Sequence, residues 1–373
     1  MPQIARGWPH EVRPADPAAR PFYTIQAGAE AGMFLCETHV EPAPPRKLDA
    51  VNAACDAMAG LAMALPAEDA TVICLHAAGV AMAGRLVVFP NVRRAGKSTL
   101  SAALAHAGHR VFSDDVLPLS FPSAGPPLAR SMGISPRLRL PLPEAAGPAF
   151  HTWVAAISGP ANRQYRYLSL PDQPAHGETL PLGAFVILDR RDEPTAALLE
   201  PVPPDLAMDA LLHQNFTRDR HSGDVLQAMA GALDGLPIYR LTYADLAGAV
   251  ACLGAAFRSW PVSPPPGPVA PFRLAEFGAE PAPLGEGARL RQRVGVVARA
   301  IGGTLYLADP EGRAIHRMDP LAAAIWGVLE EPATAGELAA VLGEVFPETP
   351  AERIVADLDG LLDRLSGAGL IVG

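Results

Sequence analysis

A chain of 373 residues, 49% of them hydrophobic, is long enough for two domains with buried cores, and this composition excludes a disordered protein. The formal net charge of −9 argues against a nucleic-acid partner. The four cysteines show no C-x-x-C spacing and no local pairing with histidines in a zinc-binding pattern, which predicts no zinc site and no disulfide framework.

The sequence gives no reason to expect a membrane partner. Residues 1–17 carry charges and prolines where a secretory signal needs an apolar core. The apolar stretch from Ala70 to Gly84 contains His76 and is too short to span a bilayer. We therefore expect a soluble, cytoplasmic protein.

Strand-like and helix-like runs alternate over the first 260 residues, which predicts an α/β core. The strand-like runs are residues 71–75, 86–89 and 184–188. The helix-like runs are residues 98–107, 205–214, 224–233 and 243–257. The proline-rich residues 118–148 and 171–181 are predicted to be loops or excursions.

Lys97 is one of only two lysines in a chain that has 28 arginines. It follows a strand-like run and a loop, and a helix-like run begins directly after it. An ammonium at this place can reach the β- and γ-phosphates of a nucleotide, while loop amides and the helix N-terminus face the anion. This pattern predicts an ATP site, with Mg²⁺ held by Ser98. Its residues are Asn91, Ala95, Gly96, Lys97, Ser98 and Thr99.

The loop departs from the usual pattern at its first position. Asn91 stands five residues before Gly96, where the pattern has glycine. Asparagine adopts a left-handed backbone less freely than glycine. A chance helix start with a serine cap is the alternative interpretation.

Two adjacent carboxylates follow the next strand-like run, residues 110–113. Asp114 and Asp115 lie 17 and 18 residues after Lys97. One carboxylate could accept the proton of an attacking hydroxyl while the other supports Mg²⁺, because phosphoryl transfer depends mainly on positioning and charge neutralisation. A surface Asp-Asp turn is the alternative.

The segment from His76 to Asp115 resembles the bacterial HPr serine kinase/phosphorylase family. That family has a histidine about 15 residues before the loop, a Gly-Lys-Ser loop, and an Asp-Asp pair about 17 residues after the lysine. Here His76 precedes Asn91 by 15 residues. The resemblance implies an HPr-kinase-like core akin to phosphoenolpyruvate carboxykinase.

The resemblance also implies roles for individual residues. Lys97 would bind phosphates and Ser98 magnesium, Asp114 would be the catalytic base, and Asp115 would support the metal. His76 would lie beside the phosphates, with packing in the core as its alternative. No residue matches the family's later acidic ligand or its arginine loop, so five arginines remain open candidates for the γ-phosphate: Arg130, Arg137, Arg139, Arg163 and Arg166.

Residues 260–271 contain prolines that exclude a helix or a central strand, which predicts a semi-rigid interdomain linker. The predicted organisation is an ATP-binding domain, a linker and a C-terminal domain. Their ranges are 1–260, 261–285 and 286–373.

The C-terminal domain is predicted to be winged-helix-like. Strand-like residues 294–300 and 304–308 precede an Asp309–Gly312 turn, which joins residues 305–307 to 314–316 as a hairpin. Three capped helices should follow. The capping residues are Asp319 with Pro320, Thr334 with Glu337, and Thr349 with Pro350 and Glu352. In the third helix one apolar face is expected from Ile354, Leu358, Leu361, Leu362 and Leu365.

Residues 305–372 resemble the PqqD family of peptide-recognition domains. The resemblance implies a partner, the leader of a ribosomally made precursor peptide, added as a strand to a sheet edge. A DNA-binding winged helix is the alternative. It is disfavoured because the chain from Asp319 onward carries ten acidic residues against Arg353 and Arg364.

Together, the two resemblances predict an ATP-dependent kinase that phosphorylates a serine or threonine hydroxyl of a recruited precursor peptide. A noncatalytic or nucleotide-gated peptide adaptor is one alternative, and transient ATP-dependent activation during another modification is a second. The sequence leaves open the peptide, the acceptor residue, other pathway enzymes as partners, and a homo-oligomer.

Overall fold

The computed structural model describes most of the chain and divides it into two compact units. The described residues are 2–9, 14, 18, 21–39, 43–90, 95–278, 284–285 and 287–373. The first unit is Met1–Arg218 with Ala232–Pro271, and the second is Asp219–Gly231 with Phe272–Gly373. Residues 91–94, including the predicted loop residue Asn91, lie outside the described residues.

The first unit is a mixed α/β structure, as the alternating runs predict. Its strands are β1 Tyr23–Ala27, β2 Met33–Thr38, β3 Arg46–Asp49, β4 Val72–His76, β5 Ala78–Met82, β6 Arg85–Phe89, β7 Arg110–Ser113, β8 Val116–Ser120, β9 Leu128–Arg130, β10 Arg137–Arg139, β11 Tyr165–Tyr167, β12 Thr179–Arg190, β13 Leu198–Pro201 and β14 Ile238–Tyr243. Its helices are α1 Ala50–Glu68, α2 Lys97–His106, α3 Pro148–Ala156, α4 Pro204–Gln214 and α6 Leu246–Ala256, with a 3-10 turn at Glu144–Ala146. Helix α5, Ser222–Gly235, crosses the division between the units.

The main sheet of the first unit has nine strands, in the order β4-β8-β9-β12-β6-β5-β7, with β14 beside β12 and β13 beside β14. Strands β6, β12 and β14 are parallel neighbours. Helices α2 and α6 cover buried positions of this sheet, with Leu100, Leu104 and Leu253 fully buried. This packing fixes the start of α2 beyond the carboxyl end of β6.

The register of three neighbouring strands brings distant residues together. Ala78 of β5 lies opposite Phe89 of β6, and Gly79 lies opposite Ser113 of β7. The start of β5, which follows His76, therefore lies beside the end of β6, which leads to α2, and the end of β7, which leads to the two aspartates. All three lie at the same end of the sheet. This end is where ligands bind in open α/β sheets.

Helix α1 is apolar along its length because it packs on two sides. It contacts the small sheet β1-β2-β3 and also β4, and Val51 and Ala54 join a core with Ile4 and Tyr167. Asp56, in the middle of the helix, accepts a hydrogen bond from Arg46 at 2.7 Å. Among the described residues α1 is long and apolar enough to cross a membrane, but a core helix has the same composition.

Both proline-rich stretches predicted to be loops or excursions contain strand residues, so the loop prediction is wrong there. Strand β8 ends within residues 118–148, β9 and β10 lie within them, and β12 begins within residues 171–181. Pro118 is tolerated in β8 because the backbone N–H and carbonyl of its partner on β4, Cys74, both point away from Pro118. The N–H of Cys74 donates to Thr217 Oγ1, and its carbonyl accepts from Phe216. The missing N–H of Pro118 therefore leaves no hydrogen bond to β4 unmade.

The proline-rich residues 260–271 lie along the first unit. Trp260 Nε1 donates to the carbonyl of Met82 at 2.7 Å, and the N–H of Ser123 donates to Pro268 at 2.8 Å. This part of the predicted linker is thus attached rather than free. The domain boundaries themselves stay a prediction, and residues 279–283 and 286 of the linker and tail lie outside the described residues.

The second unit has the hairpin and the three helices that the sequence predicts. Its elements are β15 Arg291–Gln292, β16 Val297–Ile301, β17 Thr304–Ala308, β18 Ile315–Arg317, α7 Pro320–Val328, α8 Ala335–Val345, α9 Ala351–Gly367 and β19 Ile371–Val372. Strands β16, β17 and β18 form an antiparallel sheet in which Leu307 lies opposite His316. The five apolar positions predicted on α9 are all buried.

Two of the three predicted caps are confirmed. Asp319 accepts from the N–H of Ala322, and Thr334 and Glu337 form a reciprocal capping box. The prediction for Thr349 is wrong, because Pro350 is the residue that flanks α9 and makes no side-chain cap. The N–H of Thr349 instead closes a turn after α8 by donating to Phe346.

Candidate active site

Ala95 and Gly96 are the described residues that lead directly into α2. Gly96 precedes the helix with φ 94° and ψ 6°, a left-handed conformation that favours glycine. A β-carbon on Gly96 would also lie 3.1 Å from the Tyr243 hydroxyl. Because glycine has no side chain to cap the helix, the first amides of α2 have no acceptor from this position.

Lys97 and Ser98 occupy the first turn of α2, next to Ala95–Gly96 and Thr99. Lys97 is 6% exposed, which is unusual for lysine, and its positive charge acts on Asp115. Ser98 and Thr99 are half-buried. The described part of the predicted ATP site is thus assembled at one helix start, whereas nothing is assigned to Asn91.

The two aspartates lie in a tight turn between β7 and β8. The Ser113 hydroxyl donates to the carbonyl of Val116 at 2.6 Å and accepts from the N–H of Asp115 at 3.3 Å. This local bonding fixes the backbone under both carboxylates. Asp114 is 8% exposed, whereas the side chain of Asp115 is 44% exposed.

The carboxylate of Asp115 lies between the side chains of His76 and Arg137. His76 Nε2 is 2.8 Å from its Oδ1, and Arg137 Nη2 is 3.2 Å from its Oδ2. Burial opposes ionisation of Asp115, but the hydrogen bond from His76 and the charges of Arg137, His76 and Lys97 hold its pKa below the usual value. Asp115 is therefore ionised at neutral pH.

The carboxyl group of Asp114 has the opposite electrostatic environment. Burial, and then the negative charge of Asp115, raise its pKa from 3.8 to about 7. The backbone N–H of Arg137 donates to Asp114 Oδ2 at 2.9 Å and partly offsets this rise. Two adjacent carboxylates with separated pKa values can serve as a proton acceptor and a permanent charge.

Of the five arginines left open by the sequence, Arg137 is the one whose contacts reach both aspartates. Its guanidinium lies over the ring of Tyr165, 4.7 Å from the ring centre, and the Asp115 carboxylate raises its pKa although burial opposes this. Arg139 lies over the same ring at 5.7 Å, whereas two other open candidates have partners elsewhere. Arg130 pairs with Asp69 at 2.8 Å, and Arg166 donates to the backbone carbonyl of Ile157. The pairing of β10 with β11 selects Arg137, and no sequence motif marks it.

A cavity of about 550 Å³ adjoins the carboxylates, and its lining includes His76, Asp114, Asp115 and Arg137. Lys97 does not line it. The cavity therefore lies beside the carboxylates, on a part of the site distinct from the helix start.

The described residues contain no cluster of three or more His, Cys, Asp or Glu side chains able to hold a metal ion. Mg²⁺ is commonly held by one or two carboxylates together with substrate phosphates. The Ser98 hydroxyl and the ionised Asp115 fit that mode. Asp115 retains lone pairs beyond those that His76 and Arg137 use.

Residues 305–371 match the family described as coenzyme PQQ synthesis protein D (PqqD), so this segment is PqqD-like. The chain is similar to the structure of the Hpr(Ser) kinase/phosphatase from Coxiella burnetii, with 12% identity and a TM-score of 0.26 over 49% of this chain and 95% of that chain. A TM-score of 0.26 is too low for that similarity to carry an argument about the site. No curated protein matches the chain.

We expect the Asp114 carboxyl group to titrate at about 7. Since its pKa is raised on folding, its contribution to stability is full below the unfolded pKa of 3.8 and is lost as the pH rises through about 7. Carbon-13 NMR of labelled aspartate measures the midpoint. Asp115→Asn should lower that midpoint because it removes the like charge, and a wild-type midpoint near 3.8 would contradict the burial of Asp114.

Proposed function

We propose that the protein is an ATP-dependent kinase that phosphorylates a serine or threonine hydroxyl of a ribosomally made precursor peptide. The observation that carries this proposal is the convergence of Lys97 with two carboxylates whose pKa values are shifted in opposite directions. A cation for phosphates and a carboxylate that is half ionised near pH 7 are the two parts that phosphoryl transfer to a hydroxyl requires.

The roles of the residues follow from their surroundings. Lys97 and the first amides of α2 bind the nucleotide phosphates. Ser98 and Asp115 would hold Mg²⁺, which would supply further neutralisation of the phosphate charge. Asp114 takes the proton from the acceptor hydroxyl, whose oxygen forms a bond to the γ-phosphorus as the bond to ADP breaks. His76 and Arg137 keep Asp115 ionised and fixed, which also keeps the pKa of Asp114 high.

The PqqD-like segment supports a peptide substrate. Ile301 and Thr304 flank a two-residue turn whose glycines, Gly302 and Gly303, both have positive φ. In such a hairpin the backbone N–H and carbonyl groups of Ile301 form hydrogen bonds to β17, and so do those of every second residue before it, such as Arg299. The N–H groups of Ala298 and Ala300 therefore point to the other side. Within the described part of the chain β16 pairs only with β17, so this edge can accept a strand.

Arg299 gives a second indication that the outer edge of β16 is available. Its guanidinium donates to the carbonyl of Ala298 at 3.2 Å in an exposed position. A leader bound as an added strand would replace this contact with regular backbone hydrogen bonds. Because the leader and the acceptor belong to one peptide, binding at the edge raises the effective concentration of the hydroxyl up to about the millimolar range.

We expect Lys97→Met to weaken Mg-ATP binding by roughly 10- to 100-fold, because a charge-assisted hydrogen bond to phosphate is lost while the buried stem is kept. The matched control is Lys47→Met, which removes the other lysine, an exposed residue paired with Glu30 at 2.6 Å. Calorimetry of both variants measures the affinities. Equal affinities for wild type and Lys97→Met would show that the helix start is not the ATP site.

We expect Ala298→Pro to abolish leader binding by the full-length chain, because it removes an outward N–H without breaking the ladder to β17. Ala298→Val keeps that N–H and should bind normally. The leader peptide is titrated without nucleotide, and its sequence is to be sought in a short reading frame beside this gene. If Ala298→Pro binds the peptide as wild type does, the leader does not use this edge.

A further inference from the structure

The cavity beside Asp114 is larger than an acceptor hydroxyl requires. Its volume of about 550 Å³ lies within the range of roughly 300–1,000 Å³ found for small-ligand sites. A serine or threonine side chain that reaches the carboxyl group of Asp114 occupies only a small part of this space. The remaining volume is large enough to hold a second group of the substrate.

Apolar side chains line most of the cavity away from the carboxylates. Helix α1 contributes Cys55, Met58 and Met63 to the lining of the cavity. The segments after β9 and after α4 form the facing walls. Methionine adapts its flexible thioether to ligands of different shape. The apolar lining residues include Met58, Met63, Phe112, Met132, Ile134 and Phe216.

The charges in the cavity disfavour an anionic occupant. Among the described lining residues Arg137 supplies the one lysine or arginine charge, and its guanidinium is paired with Asp115. A phosphate or an acidic side chain would meet the carboxyl groups of both Asp114 and Asp115 beside that single guanidinium. The nucleotide therefore belongs at Lys97, and the cavity is left for the acceptor side of the reaction.

We propose that this cavity is an acceptor pocket that takes a bulky apolar side chain next to the hydroxyl to be phosphorylated. This inference rests on the proposed function and specifies its substrate class. Burial of a leucine-sized side chain in the apolar part of the cavity should strengthen binding by roughly 10- to 100-fold over glycine. The pocket thus selects the acceptor by its neighbour, whereas the PqqD-like segment selects the leader.

Two alanines of α1 provide a matched pair of variants. Ala59 is exposed and lines the cavity, so Ala59→Phe places a ring in the pocket without displacing a buried side chain. Ala67 is also exposed on the same helix and does not line the cavity. Ala67→Phe therefore controls for the effect of a surface phenylalanine on α1.

The experiment measures binding of two acetylated dipeptide amides, Ser-Leu and Ser-Gly, to the full-length protein with magnesium and a non-hydrolysable ATP analogue. We expect Ser-Leu to bind at least 10-fold more tightly than Ser-Gly. Ala59→Phe should remove this preference, and Ala67→Phe should keep it. Equal affinity of the two peptides for wild type overturns the proposal and needs no variant.

Two further outcomes are decisive. Acetyl-leucine amide that binds as tightly as Ser-Leu would overturn the proposal, because the cavity would then be a site for small apolar ligands without reference to the hydroxyl. After incubation with Mg-ATP, mass spectrometry measures whether phosphate has been transferred to the precursor peptide. A preference for Ser-Leu that Ala59→Phe removes, without phosphate transfer to the leader-bearing precursor peptide, would support the pocket and overturn the kinase assignment.

Discussion

The ion-paired carboxylate of Asp115 is the interaction on which the site depends. His76 and Arg137 hold its two oxygens at 2.8 and 3.2 Å, and Lys97 adds its positive charge. Burial, and then the negative charge of the ionised Asp115, keep the pKa of Asp114 near 7. The same group thus provides a fixed negative charge and prepares its neighbour to accept a proton near neutral pH.

This arrangement depends in turn on the pairing of short strands. The antiparallel register of β5 with β6 and β7 places His76, the start of α2 and the aspartates at one end of the sheet. The pairing of β10 with β11 places Arg137 against Asp114 and Asp115. A shift of one residue in either register would turn the alternate side chains to the opposite face.

The sequence predicts elements that local chemistry determines and misses those that depend on tertiary pairing. The Thr334–Glu337 capping box, the hairpin after Asp309 and the buried face of α9 follow from turn chemistry and helical spacing, and all are present. Arg137 is one of 28 arginines, and only the strand pairing distinguishes it. The apolar cavity is likewise invisible in the sequence, since α1 and the segments that face it are distant along the chain.

The most direct test of the account is the effect of Asp114→Asn on the full-length protein. Calorimetry measures its affinity for Mg-ATP, and mass spectrometry measures the rate of phosphate transfer to the precursor peptide. The account predicts unchanged nucleotide affinity and a transfer rate lower by about 10²- to 10⁴-fold, because the proton acceptor is lost while the phosphate site is kept. Near-normal transfer by Asp114→Asn would contradict the role of Asp114 and, with it, the proposed mechanism.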